Sequence, residues 1–111
     1  MKIKNLATLA ILAVSLFGLA DTAFAQTNAG KDTLFVKSLA ATCANCHGTN
    51  GRVVEGSSVV SIAGLDKAYM IAQMKAFKDG TRPATIMHQL SKGYSDAQIE
   101  TLATYFAAQK K

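Results

Sequence analysis

The chain contains the pentapeptide Cys43-Ala44-Asn45-Cys46-His47. Two cysteines separated by two residues and followed at once by a histidine form the attachment motif of a c-type haem. The two thiols can add across the vinyl groups on one edge of the porphyrin, and the imidazole of His47 can then bind the iron as a fixed axial ligand. Because the chain has only these two cysteines, the motif predicts one covalently bound haem c.

Three other kinds of site use similar residues. A dithiol redox pair is expected in a βαβ context, but the sequence around Cys43 has no strand-like alternation of β-branched residues. A zinc site needs four ligands, and beyond residue 25 the only further strong ligand is His88. A structural disulfide between the cysteines would leave His47 without a role. Haem attachment is therefore the favoured interpretation, and dithiol chemistry is the main alternative.

The N-terminus has the pattern of a secretory signal. A basic start with Lys2 and Lys4 precedes an apolar stretch over residues 6–19, and Ala23-Phe24-Ala25 then supplies a small-x-small cleavage site. An uncleaved anchor fits less well, because the apolar stretch is short for a bilayer span of about 20 residues. We predict that residues 1–25 are removed, and that residues 26–111 form a single monohaem domain in the periplasm with no membrane span.

The remaining segment is small and basic. Its formal charge is +4, because the signal removes two lysines and one aspartate from a chain of net charge +5. So short a chain has a limited core, to which a porphyrin would add apolar volume. The charge suits an acidic redox partner, although a solvated basic face explains it equally well. Nucleic acid is not an expected partner, since no clustered basic-aromatic pattern is present. Candidate docking cations are Lys67, Lys75, Lys78, Arg82 and Lys92.

Hydrophobic periodicity and capping signals predict an all-α domain. The first helix is expected to run from Asp32 to about Thr42, and residues 48–64 are expected to form a glycine-rich loop. The second helix is expected over residues 65–78, with Asp66 near its start and Gly80 just past its end. The last helix is expected to begin at Ser95, where Gln98 can complete a capping box. The buried stripe of the last helix is predicted to consist of Ile99, Leu102, Ala103 and Phe106.

An electron carrier also needs a second axial ligand, and thioether sulfur opposite imidazole raises the reduction potential. Met70 and Met74 lie four residues apart on the apolar side of a predicted helix, where methionine usually fills the core. Met87 follows Pro83 in a predicted loop, which can carry its side chain across the open haem face. We predict Met87 as the ligand. Its neighbour His88 is the competing candidate, or a surface or propionate-contacting residue.

The assembled motifs resemble class I cytochromes c over residues 26–111. The stretches that carry this resemblance are Cys43 to Gly48, Ser61-Ile62-Ala63-Gly64 and Tyr94 to Phe106. Residues 77–82, 85–87 and 92–96 more specifically resemble the monohaem cytochrome subunit of flavocytochrome c sulfide dehydrogenase. The resemblance implies a small fold of three main helices around one haem, Met87 as the distal ligand, and an FAD-containing sulfide dehydrogenase subunit or other redox protein as partner.

One loop departs from the family pattern. Many relatives carry prolines before Ile62, where this chain has Ser57, Ser58 and Val60. The sequence therefore leaves open which backbone carbonyl orients His47.

The expected function is electron transfer without catalytic residues in this chain. The leading form is an electron-accepting subunit of a sulfide-oxidising flavoenzyme. A freely diffusing carrier between respiratory complexes is the alternative. An open-site haem enzyme or gas sensor would require that Met87 not bind iron.

Overall fold

The computed structural model describes residues 32–111. Residues Phe35–Lys111 form one compact unit, and only the last three residues of the other unit, Met1–Leu34, are described. The predicted signal segment and its cleavage site lie outside the described residues. Within the described range, no helix combines the length and apolar character needed to cross a membrane.

The described chain contains four α-helices and no strand. Helix α1 covers residues 32–47, and short 3-10 turns occur at Thr49–Gly51 and Ser91–Gly93. The remaining helices are α2 (Lys67–Asp79), α3 (Met87–Leu90) and α4 (Asp96–Ala107). The prediction of an all-α fold is confirmed for residues 32–111.

Helix α1 is longer than the sequence suggested. The predicted end near Thr42 is wrong, because the helix continues to His47. No residue between these positions breaks a helix, and the Gly48 N–H still donates to the Ala44 carbonyl at 3.0 Å. The helix ends where Gly48 takes φ 80° and ψ 162°, a conformation that essentially only glycine adopts. The whole cysteine–histidine motif therefore lies on the last turns of α1.

The ends of α2 and α4 agree with the predicted capping signals to within two residues. The Asp66 carboxylate accepts a hydrogen bond from the Tyr69 N–H at 2.8 Å, and Gly80 closes α2 with φ 81°. At α4, Ser95 Oγ accepts from the Gln98 N–H at 3.2 Å, while Gln98 Oε1 accepts from the Ser95 N–H at 2.9 Å. These bonds satisfy N–H groups that a helix start otherwise leaves without partners.

Replacing Ser95 with alanine is expected to destabilise the protein by about 1 kcal/mol, because the N-terminal N–H groups of α4 lose an acceptor. Urea unfolding of the holoprotein, followed by helical circular dichroism, measures this effect. Ser58→Ala in the exposed loop is the control and should change stability by less than about 0.5 kcal/mol. Equal midpoints for the two variants would contradict a stabilising role for the cap.

The core forms where α4 packs against α2. Its predicted buried stripe is confirmed, since Ile99, Leu102, Ala103 and Phe106 are 0–3% exposed. Met70 is buried in the same core and Met74 packs against it. Their packing agrees with the prediction that these two methionines fill the core.

Several of the predicted docking cations make contacts within the protein. Lys75 and Lys78 both pair with Asp96, with Nζ–Oδ distances of 3.7 and 3.3 Å. Arg82 hydrogen-bonds to the Gln73 side chain and lies over the Phe77 ring. These contacts connect α2 to the start of α4 and to the turn after α2, so a docking surface built equally from all five cations is not supported.

Candidate haem site

The two cysteines and the histidine share one face of α1. Cys43 and Cys46 are three residues apart, and Cys43 and His47 are four apart, so all three side chains project from neighbouring positions on the helix surface. Both thiols are free; Cys43 is half-buried and Cys46 is exposed. Because α1 continues through the motif, the two-residue spacing places both cysteines within about one helical turn of His47.

The imidazole of His47 is oriented by a backbone carbonyl. His47 Nδ1 lies 2.7 Å from the carbonyl oxygen of Val60. Because a carbonyl only accepts, Nδ1 carries the hydrogen and donates, so Nε2 keeps its lone pair. Hydrogen bonding of this kind fixes the tautomer and ring orientation of a metal-binding histidine. The backbone carbonyl that orients His47, which the sequence did not identify, is that of Val60.

The loop end that presents Val60 is tied to the residues after the motif. The Ile62 and Ala63 N–H groups donate to the Gly51 carbonyl at 2.8 and 3.0 Å, and Ser61 Oγ donates to the same oxygen at 2.9 Å. Gly51 is buried, and a Cβ atom there would lie 2.8 Å from the Phe106 ring. This close packing connects the orientation of His47 to the α4 core.

Gly48→Ala is expected to destabilise the protein by about 3 kcal/mol or more, because an added Cβ would lie 2.0 Å from the Arg52 carbonyl oxygen and the backbone is already at positive φ. Gly56→Ala is a matched control: Gly56 has φ 82° with no atom within 4 Å of the added Cβ, so only backbone strain of about 1 kcal/mol remains. Chemical unfolding of both holoproteins compares them. Equal losses would show that the close approach to Arg52 has no effect.

The two cysteine environments differ. Burial raises the pKa of the Cys43 thiol, while hydrogen bonds from the side chains of Thr42 and Tyr94 act in the opposite direction. Thr42 Oγ1 lies 2.6 Å from the Tyr94 hydroxyl. Cys43 also packs against the hydrophobic core. The Cys43 thiol thus packs beside the core and two hydroxyl groups, whereas Cys46 is exposed.

The sequence predicted that Met87 lies in a loop. In the structure it is instead the first residue of α3. The local reason is that the Gln89 and Leu90 N–H groups both bond to the Ile86 carbonyl, at 2.9 and 3.2 Å, which winds the chain into a turn. Met87 is half-buried, as is His88. Successive helix residues point about 100° apart, so the two side chains cannot both face one iron.

The residues present fit a covalently attached haem. A groove of about 580 Å³ borders Cys46 and is lined in part by Val53 and Val54. Large aliphatic side chains are exposed beside both predicted axial ligands: Val60 is 68% exposed, Ile86 58% and Leu90 45%. Exposed aliphatic groups next to a free imidazole nitrogen and two free thiols are the donor set and apolar surface that a haem requires.

Sequence reasoning did not find two parts of this site. The Val60 carbonyl is a backbone group, and its side chain gives no indication of its role. The contact between Thr42 and Tyr94 joins residues 52 positions apart. The one available signal was Gly51, whose position shortly after the motif is consistent with a close backbone approach.

Comparisons with known proteins agree with this geometry. The cytochrome c family model matches residues 33–110. The cytochrome subunit of sulfide dehydrogenase from Chlorobaculum tepidum is 38% identical over 68 residues, which cover 61% of this chain and 60% of that protein. A thiosulfate dehydrogenase electron acceptor from Thiomonas intermedia is 37% identical over 71 residues, covering 64% of this chain and 33% of that protein.

A smaller relative is matched over most of its length. Cytochrome c-554(548) from Halomonas halodenitrificans is 32% identical over 74 residues, which cover 62% of this chain and 86% of that protein. The chain therefore spans most of one relative and between one third and two thirds of the other two. With a matched family model across 33–110 and a helical fold that carries the cysteine–histidine motif, the chain belongs to the class I cytochrome c family, whose members carry covalently attached haem c.

Proposed function

We propose that this cytochrome is exported and carries single electrons on one haem that is bound through Cys43 and Cys46 and ligated by His47 and Met87. The observation that carries the proposal is the 2.7 Å hydrogen bond between His47 Nδ1 and the Val60 carbonyl. It leaves Nε2 as the only ring nitrogen available for iron, on the helix face that also carries both cysteines.

The haem supplies a reversible one-electron couple, and the chain's own groups set the conditions for it. The two thiols hold the group in place, and the Val60 carbonyl holds the imidazole in one orientation. Met87, on α3, offers a thioether from a second element, which is the ligand type that raises the potential. Val60, Ile86 and Leu90 would supply apolar surface beside the bound haem, and iron held by both His47 and Met87 would leave no free position for oxygen or other small ligands.

The proposed partner is an FAD-containing sulfide dehydrogenase subunit in the periplasm. Support comes from the relative named as the cytochrome subunit of such an enzyme and from the motifs shared with that family. A relative named as a thiosulfate dehydrogenase electron acceptor favours a second form, a carrier that accepts electrons during transient contacts. Within residues 32–111, the predicted docking cations Lys67, Arg82 and Lys92 are exposed and make no ion pair, and of these three only Arg82 is held by other contacts, with Gln73 and Phe77.

The testing experiment is gentle isolation of the protein from the periplasmic fraction, followed by size-exclusion chromatography with absorption detection. Haem that co-elutes with flavin in a species much larger than this chain, and that sulfide reduces, supports the subunit form. A small species with haem alone, reduced by thiosulfate dehydrogenase and not by sulfide, supports the diffusing carrier. Rapid, tight binding of cyanide or carbon monoxide to the resting protein would contradict both forms, because it requires an open iron.

A mature N-terminus at Gln26, measured by intact mass of the same sample, is expected if residues 1–25 are a cleaved signal. The haem adds its own mass, so a denatured sample that keeps this mass also demonstrates covalent attachment. Retention of Met1 in the periplasmic protein would contradict the signal assignment.

A further inference from the structure

Two hydroxyl groups lie beside the attachment sulfur of Cys43. Thr42 Oγ1 is 3.9 Å from Cys43 Sγ and 2.6 Å from the Tyr94 hydroxyl. Tyr94 lies at the entry to α4, where its carbonyl accepts a hydrogen bond from Lys78 Nζ at 2.7 Å, and Lys78 also pairs with Asp96. The backbone of Tyr94 is therefore held in place beside α4, and its side chain reaches across to Thr42 near the end of α1.

The directions of these hydrogen bonds follow from counting hydrogens. Thr42 Oγ1 donates to the Leu39 carbonyl at 2.7 Å, since that oxygen can only accept. A hydroxyl has one hydrogen, so the Tyr94 hydroxyl must donate to Thr42 Oγ1. In the free thiol, any contact between Cys43 and Thr42 must likewise have the S–H group as donor.

Haem attachment changes this pattern at one atom. When Cys43 adds to a vinyl group, a bond forms between Sγ and a vinyl carbon, the S–H bond is lost, and a hydrogen is added to the other vinyl carbon. The sulfur is then an acceptor only. The Leu39 carbonyl lies within α1, where the N–H four residues later, that of Cys43, is its regular helical donor. The Thr42 hydrogen can therefore turn towards the sulfur without leaving that carbonyl unpaired.

We propose that Tyr94 and Thr42 form a hydroxyl relay in the holoprotein, in which Tyr94 donates to Thr42 and Thr42 donates to the Cys43 thioether, and that this relay raises the reduction potential of the haem. The inference rests on the proposed attachment through Cys43. Aligned O–H dipoles directed at the sulfur withdraw electron density from the haem edge and favour the reduced state. Burial raises the pKa of the Cys43 thiol, and hydrogen bonds from the same two side chains act against this rise, as expected for hydroxyl groups that can turn towards a sulfur without its hydrogen.

Tyr94 acts here as a positioning residue, and its test needs a readout that a structural role would not change. The reduction potential of purified holoproteins, measured by spectroelectrochemical titration, is that readout. Tyr94→Phe and Thr42→Val are each expected to lower the ratio of reduced to oxidised haem at a fixed ambient potential by about two- to tenfold. A tenfold change corresponds to about 59 mV for one electron. The double variant should add little, because both changes interrupt one relay.

Tyr105→Phe is the matched control. The Tyr105 hydroxyl donates a hydrogen bond to Asn50 Oδ1 at 2.7 Å. The Tyr105→Phe variant therefore loses the same atom and the same kind of hydrogen bond as Tyr94→Phe. We expect it to reduce stability about as much as Tyr94→Phe while leaving the potential unchanged. Thr42→Ser, which keeps the hydroxyl, should retain the wild-type potential.

Wild-type potentials in both Tyr94→Phe and Thr42→Val would overturn the relay, even if both variants unfold more easily. Resonance Raman spectra give a second readout, since the thioether C–S band should shift in these two variants and not in Tyr105→Phe. Failure of the proposed function looks different: the wild-type protein would then lack covalent haem, or would hold it only through Cys46, before any relay variant is compared.

Discussion

His47→Ala is expected to abolish accumulation of stable holoprotein. The change removes the imidazole that α1 presents on the same face as the two cysteines, and with it the hydrogen bond to Val60. Loss of a supporting residue outside the metal ligands typically weakens a metal site by about 10- to 100-fold, and loss of the ligand itself should exceed this. Haem-stained gels and absorption spectra of periplasmic extracts measure the yield.

The chain contains its own control, because His88 is the only other histidine. His88→Ala should accumulate covalent haem at close to the wild-type level with an unchanged spectrum. Normal yield and an unchanged spectrum for His47→Ala would refute the proximal role. If instead His88→Ala alone lost holoprotein, the proximal assignment would move to α3.

Met87→Ala is expected to leave the haem attached, lower the reduction potential and open one coordination position. The thioether is the ligand that stabilises ferrous iron, and its removal exposes the metal to water and added ligands. Spectroelectrochemistry measures the potential, and titration with cyanide and carbon monoxide measures the opening. Binding of both ligands should become rapid and tight, in contrast to the wild-type protein.

Met74→Leu is the control for this experiment. Met74 packs against the hydrophobic core, and a volume-conserving substitution there should reduce stability by less than about 1.5 kcal/mol without changing ligand binding. If Met87→Ala kept the wild-type potential and ligand reactivity, another residue would be the distal ligand. His88→Ala then discriminates, because an iron bound by His88 would open in that variant instead.

The parts of the fold that were predictable depend on local chemistry. Asp66, Gly80 and Ser95 mark helix ends because their side chains or backbone freedom act within three or four residues. The spacing of Ile99, Leu102 and Phe106 identified the buried face of α4 for the same reason. Each of these features is contained in a short window of sequence, and each appears in the structure.

The parts that were not predictable depend on contacts between separate segments, or on local turns that leave no pattern in the sequence. Helix α1 continues past Thr42 because no residue stops it, and it ends where Gly48 takes a positive φ. The partner of His47 is a carbonyl whose position depends on N–H groups that converge on Gly51. Met87 begins a helical turn that has only four residues, too short for any periodic signal.

The anchoring of His47 through Val60 has a kinetic consequence. The segment that presents this carbonyl is largely exposed, with Val54 at 79%, and it contains no proline. Exposed segments with few buried contacts open locally at a fraction of the free energy of global unfolding. Each opening that separates Val60 from His47 frees the imidazole to rotate. The amide hydrogen exchange of Ile62 and Ala63, which hold this loop end on Gly51, should therefore report the openings that free the imidazole of His47.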